Sequence, residues 1–137
     1  MKEKIILAGD IGGTKTALGL FKASKGPRIP VAEATFPSAS YPGLEVMAEE
    51  FLARVGEHVE VACFGVAGPV TGDKARITNL PWVVDAAALG RDLRFSSVRL
   101  LNDLEAVANA VPDPATTEIY TLNEKPRSAG GAIGVLA

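Results

Sequence analysis

The stretch IILAGDIGGTKTALGLF, Ile5 to Phe21, constrains this chain more than any other. Two short apolar runs, Ile5 to Gly9 and Thr16 to Phe21, meet across a glycine-rich turn. Runs of this length bounded by turn residues read as strands, and two joined so tightly read as a hairpin. A third run, Ile29 to Phe36, set off by Gly26 and Pro27, extends the hairpin into an antiparallel meander. The pattern then changes period. Leu44, Met47, Phe51, Leu52 and Val55 fall at helical intervals, with Pro42 suited to a first turn and Gly56 to a stop. Val59 to Val66 is apolar on both alternating faces and ends in GVAGPV, the pattern of a central strand entering a loop at Gly65, Gly68 and Pro69.

Beyond that loop, Thr71 to Leu80 is polar and turn-rich, a loop or short hairpin around Gly72 and Asp73. Asp85 is placed to cap a helix from Ala86 to about Arg94, interrupted by Gly90. Val98 to Leu101 is a strand closed by Asn102 and Asp103, and Leu104 to Val111 a short helix stopped by Pro112. Pro112 to Thr116 is the best linker candidate, followed by strand patterns at Glu118 to Leu122 and Ile133 to Leu136. Three antiparallel strands, a helix, then strands alternating with helices is an α/β order, and it places chemistry at strand ends. The closing AIGVLA reads as a buried strand with nothing polar to finish it, which suggests a sequence cut short.

Composition narrows the class of partner. The 137 residues are 47% hydrophobic, enough for a core, and the formal net charge of -2 leaves no basic excess for a nucleic-acid backbone or an anionic membrane. Small-molecule partners fit better. Lys2 and Lys4 precede an apolar run that Asp10 breaks too early for a signal peptide or a spanning helix, so the expected location is cytoplasmic. The single cysteine, Cys63, excludes an internal disulfide and reads as a small core residue. His58, the only histidine, has no Cys or His partner for a metal and reads as surface.

Three stretches carry candidate chemistry. The turn after Gly9 fits neither GxxxxGK[ST] nor GxGxxG, and strand follows it where those motifs open a helix. Gly12 and Gly13 would let backbone amides approach an anion, Thr14 offers a hydroxyl and Lys15 a charge. Asp10 would repel bare phosphate, so it makes sense there if Mg²⁺ or its bound water lies between them. The plain alternative is a two-glycine β-turn with Asp10 as turn former. In VRLLNDLEAVANAVP, Asp103 is a candidate general base, since a sugar hydroxyl cannot ionise near neutral pH without a carboxylate to take its proton. Asn102 beside it supplies a donor and an acceptor for ring hydroxyls. The competing reading is a helix N-cap, a role that Asn and Asp favour. In TGDKARITNLPW, Thr78, Asn79 and Trp82 are candidates for lining a polyol site, against ordinary loop residues and a core plug.

Taken together, GDIGGTKTALGLF, FGVAGPVTGD, ITNLPW and LNDLEAVANAVP, in this order and spacing, closely resemble the N-terminal portion of the bacterial-type glucokinase family, within the sugar kinase, actin and Hsp70 superfamily. The resemblance covers residues 5 to about 112. It implies a ribonuclease-H-like, actin-like ATPase domain over 1–112, with 113–137 a linker and the first strands of a truncated larger domain. It also implies ATP and glucose as ligands and Mg²⁺ as cofactor. Gly9, Asp10, Ile11, Gly12, Gly13 and Thr14 would then form the first phosphate loop, with Asp10 at the metal. Asp103 would deprotonate the glucose 6-hydroxyl, and Asn102 and Asp103 would hold the ring's 3- and 4-hydroxyls. Gly65 to Pro69 would lie near a cleft hinge. A second phosphate loop and further sugar ligands of the family are absent, so these residues alone are expected to have negligible activity, and a strand at the chain end leaves a pairing edge that allows a homodimer. The alternatives are a ROK-type kinase for another hexose, since Lys15 stands in a GGTK shared with that group, and a nucleotide-binding module of the same fold without sugar chemistry.

Overall fold

The computed structural model describes residues 3–26 and 28–102. Its first three strands are the expected meander: β1 (Ile5–Ile11) pairs antiparallel with β2 (Lys15–Lys22), and β2 with β3 (Ala32–Pro37). The third strand starts later than its apolar run. Ile29 is exposed and Pro30 has no N–H to give a ladder, so regular pairing waits until Ala32, although the Val31 amide already donates to the Leu20 carbonyl. Helix α1 (Leu44–Val55) follows, burying Leu44, Met47, Ala48 and Phe51 and stopping at Gly56.

Strand β4 (Val61–Val66) lies parallel to β1, and β8 (Ser97–Asn102) lies parallel to β4. The sheet order is therefore β3-β2-β1-β4-β8, with β1 in the middle and β4 an interior strand between β1 and β8, in keeping with its two-sided apolar pattern. Between β4 and β8 the chain builds a second sheet of β5 (Val70–Thr71), β6 (Lys74–Arg76) and β7 (Val83–Asp85), all antiparallel. The hairpin at Gly72 and Asp73 is as expected; β7 is not legible in the sequence, because three residues are too few for a period to register. Helix α2 (Ala86–Leu93) opens directly from β7, and Asp85 caps it as expected, its Oδ1 accepting from the Ala87 and Ala88 amides at 3.0 and 3.2 Å.

One apolar cluster joins the sheet to both helices. Leu7, Ile11, Leu18, Leu20, Phe64 and Val66 point into it from the strands, and Met47, Phe51 and Leu89 from the helices. Alternation sends Cys63 to the other face of β4, next in register to Ala8 and Arg99, so it is half-buried and outside the core expected for it. Trp82 is a core plug, its indole N–H donating to the Tyr41 carbonyl at 3.0 Å. His58 is exposed. Asp103, the helix expected from Leu104 to Val111, the linker at Pro112 to Thr116, the two later strands and the domain boundary at 112 lie outside the described residues.

Candidate functional site

Three parallel strands end at one level. Ile11 is in register with Val66, and Val66 with Asn102, so β1, β4 and β8 deliver their C-terminal residues to the same edge. With strands about 4.8 Å apart, Ile11 and Asn102 are separated by roughly 10 Å across that edge. In open α/β sheets this is where ligands bind. The sheet changes pairing direction here too, β1 being antiparallel to β2 and parallel to β4.

The turn at the end of β1 is built for close approach. The Gly12 amide donates to the Lys15 carbonyl at 3.1 Å. A Cβ on Gly12 would lie 2.8 Å from that same oxygen, and a Cβ on Gly13 would lie 2.5 Å from the Thr78 carbonyl oxygen. Both glycines are thus required by neighbouring backbone. Neither has a positive φ, which removes the primed-turn explanation for them. Among the described residues, the Gly13 and Thr14 amides make no hydrogen bond, and Thr14 and Lys15 are exposed. A turn that crowds one side against protein and keeps two amides unengaged on the other suits an anion.

The remaining first-loop residues occupy β1 itself. Gly9 is mid-strand, where a Cβ would come 2.6 Å from Phe64 Cδ1, and Ile11 on the same face is fully buried, so that face of β1 offers no side chain to a ligand. Asp10 alternates to the opposite face and is exposed. Among the described residues no three His, Cys, Asp or Glu side chains converge, so a cation at Asp10 would take most of its ligands from water and phosphate oxygens. That donor set fits Mg²⁺, which keeps several waters and commonly binds through one or two carboxylates plus phosphate.

The other loops are tied to this turn in sequence. The Ala67 amide donates to the Ile11 carbonyl at 2.9 Å, and the Thr78 amide to the Ala67 carbonyl at 2.9 Å. Asn102 Nδ2 donates to the Gly68 carbonyl at 2.8 Å. Gly68 admits no substitution easily, since a Cβ there would sit 1.9 Å from the Arg76 carbonyl oxygen. Asn79 follows at the tip of the turn from Ile77 to Leu80, exposed and at φ 66°. The structure therefore brings Gly12, Gly13, Thr14, Asn79 and Asn102 to one edge. Trp82 stays in the core beneath them.

Two residues absent from the sequence reading support the turn. Ser38 and Thr16 are both fully buried; their hydroxyls are 2.9 Å apart, and Ser38 Oγ donates to the Gly12 carbonyl at 2.7 Å. A signal was present in the alternation of β2, which puts Thr16 on the same face as Leu18 and Leu20, where a hydroxyl must find a partner. At Cys63 burial pushes the thiol above its ordinary range, and Arg99 offsets this only in part.

Comparison with known proteins identifies a family. Residues 7–137 match the family model described as Glucokinase. The chain is 34% identical over 135 residues to a glucokinase of Trichormus variabilis, covering 96% of this chain and 40% of the relative. It is 37% identical over 121 residues to a glucokinase of a Nostoc species, covering 86% and 35%. A glucokinase crystal structure from an Antarctic psychrotroph superposes with a TM-score of 0.72 at 31% identity, over 83% of this chain and 37% of that one. The chain spans about 40% of the length of the curated relative from Trichormus. Its five-stranded mixed sheet is the actin-like ATPase fold of these sugar kinases. With the family model matched from Leu7 to the last residue and the fold shared, the chain belongs to the glucokinase family.

Proposed function

We propose that the protein carrying these residues transfers the γ-phosphoryl group of ATP to the 6-hydroxyl of glucose. The observation behind this reading is the common edge at which the Gly12–Thr14 turn and Asn102 stand, tied together through Ala67, Gly68 and Thr78. In the proposal the Gly13 and Thr14 amides bind a phosphate of the nucleotide, and Asp10 faces the hydrated cation beside it. Mg²⁺ bound there would supply charge neutralisation to the phosphate oxygens. Asn102, its Nδ2 held by the Gly68 carbonyl, orients toward the ring hydroxyls, with Asn79 at the rim. Asp103 then accepts the 6-hydroxyl proton as the phosphoryl group arrives. Little bond-making falls to the protein; positioning and exclusion of water as a rival acceptor supply the rate. Residues 1–112 act as the small lobe and 113–137 as a linker and the start of a larger one, with a cytoplasmic location and a homodimer as parts of the same proposal.

The test is Asp103→Asn in the whole protein, followed by coupled detection of glucose 6-phosphate. The expected result is a fall in kcat of about 10²- to 10⁴-fold, the range a positioned general base contributes, with the KM for glucose changed much less. Turnover near that of the native enzyme removes Asp103 from the mechanism. A hexose panel in the same assay tests glucose itself, since preference for another sugar moves the assignment to a ROK-type activity.

A further inference from the structure

We propose that Ser38, braced by Thr16, is a positioning residue that aims the amides of the glycine turn at the nucleotide phosphates. The inference rests on the phosphate-binding reading of that turn given above. Ser38 touches the turn twice: its Oγ donates to the Gly12 carbonyl at 2.7 Å, and its own amide donates to the Thr14 carbonyl at 3.0 Å. Each carbonyl shares a planar trans peptide unit with the next residue's amide, so fixing the oxygen fixes the N–H in the opposite direction. Holding the Gly12 oxygen inward therefore turns the Gly13 N–H outward, and holding the Thr14 oxygen does the same for Lys15. The Gly13–Thr14 unit is strung between two fixed neighbours.

A clamp is needed here because the peptide between two glycines rotates at little steric cost, so orientation has to come from outside the turn. Ser38 is suited to it. It begins a single turn of 3-10 helix, Ser38–Ser40, at the end of β3, and is wholly buried. Thr16, equally buried on β2, sets the direction of its hydroxyl at 2.9 Å. Two buried hydroxyls and one backbone carbonyl form a short chain with no group left over, so removing the Ser38 hydroxyl leaves the buried Thr16 hydroxyl without its partner, whereas removing that of Thr16 leaves Ser38 bonded to Gly12 alone. Neither hydroxyl touches ligand; both act through Gly12.

The experiment compares ADP with adenosine by calorimetric titration in the whole protein, native and in the variants Ser38→Ala, Thr16→Val and Thr16→Ser. The expected result for Ser38→Ala is an affinity for ADP about tenfold weaker with adenosine unchanged, the scale of one misdirected hydrogen bond. Thr16→Val should lose less, because the bond from Ser38 to Gly12 survives, and Thr16→Ser should restore native binding by restoring the hydroxyl. Should Ser38→Ala fail to fold, the Thr16→Val and Thr16→Ser pair decides alone. Equal losses for ADP and adenosine, or none, overturn the positioning role. A native protein that binds ADP no better than adenosine overturns the phosphate-turn reading instead.

Discussion

Glycines at the C-terminal edge of the parallel strands and glycines at the periphery do different work in this fold. Gly13 and Gly68 have ordinary backbone angles and no room: a Cβ would meet the Thr78 carbonyl oxygen at 2.5 Å and the Arg76 carbonyl oxygen at 1.9 Å. Gly56 and Gly72 have all the room and unusual angles, with φ of 73° and 61° and nothing within 4 Å of a built Cβ. The first pair lets three loops close on one another at the ends of β1 and β4. The second pair lets the chain turn, ending α1 with the Gly56 amide on the Leu52 carbonyl at 2.9 Å and closing the hairpin between β5 and β6. A glycine kept for contact marks a place where the fold is being held to a shape; one kept for φ marks only a change of direction.

That contrast can be broken by substitution. The largest effect is expected from Gly68→Ala, where no side-chain movement can relieve a clash with backbone; a loss of about 3 kcal/mol in chemical denaturation is expected. Gly13→Ala follows at about 2 kcal/mol, and it should also weaken ADP binding, because the turn has to back away from Thr78. Gly56→Ala should cost about 1 kcal/mol from the left-handed angle alone, and Gly56→Asn less. Gly72→Asn should change stability by less than about 0.5 kcal/mol, as an exposed turn position that Asn tolerates. An alanine at position 13 that is tolerated better than one at position 56 would reverse the assignment of the two classes.

The order of elements was legible in the residues because local patterns announce them. The apolar runs around Gly12 and Gly13 announced the hairpin, the spacing of Leu44, Met47 and Phe51 announced α1, and Asp85 announced the cap of α2. Each depends on neighbours within one turn or one strand. The boundaries that slipped, at Ile29 and Val59, are places where an apolar residue is not yet paired, and pairing is settled by the adjacent strand. Cys63 lies outside the core for a similar reason: an apolar run carries no mark of which face of β4 the helices cover.

For the candidate site, the residue types came from the sequence and their meeting came from the fold. Gly12, Gly13, Thr14, Asn79 and Asn102 could be singled out as chemistry-bearing, yet each had an ordinary structural alternative while it stood alone. Parallel register across β1, β4 and β8 brings the glycine turn and Asn102 to one edge, joining residues 91 positions apart, Ile11 to Asn102, and the Thr78 amide on the Ala67 carbonyl brings Asn79 to it; no local pattern encodes either contact. Ser38 shows the same limit from the other side. Its hydroxyl is unremarkable in FPSAS and becomes a clamp only where β3 delivers it beneath the turn, 26 residues from the Gly12 carbonyl it holds. Short-range periodicity is written in the chain because backbone geometry repeats every two or 3.6 residues; long-range contact is decided by packing, after the entropy of closing those loops has been overcome.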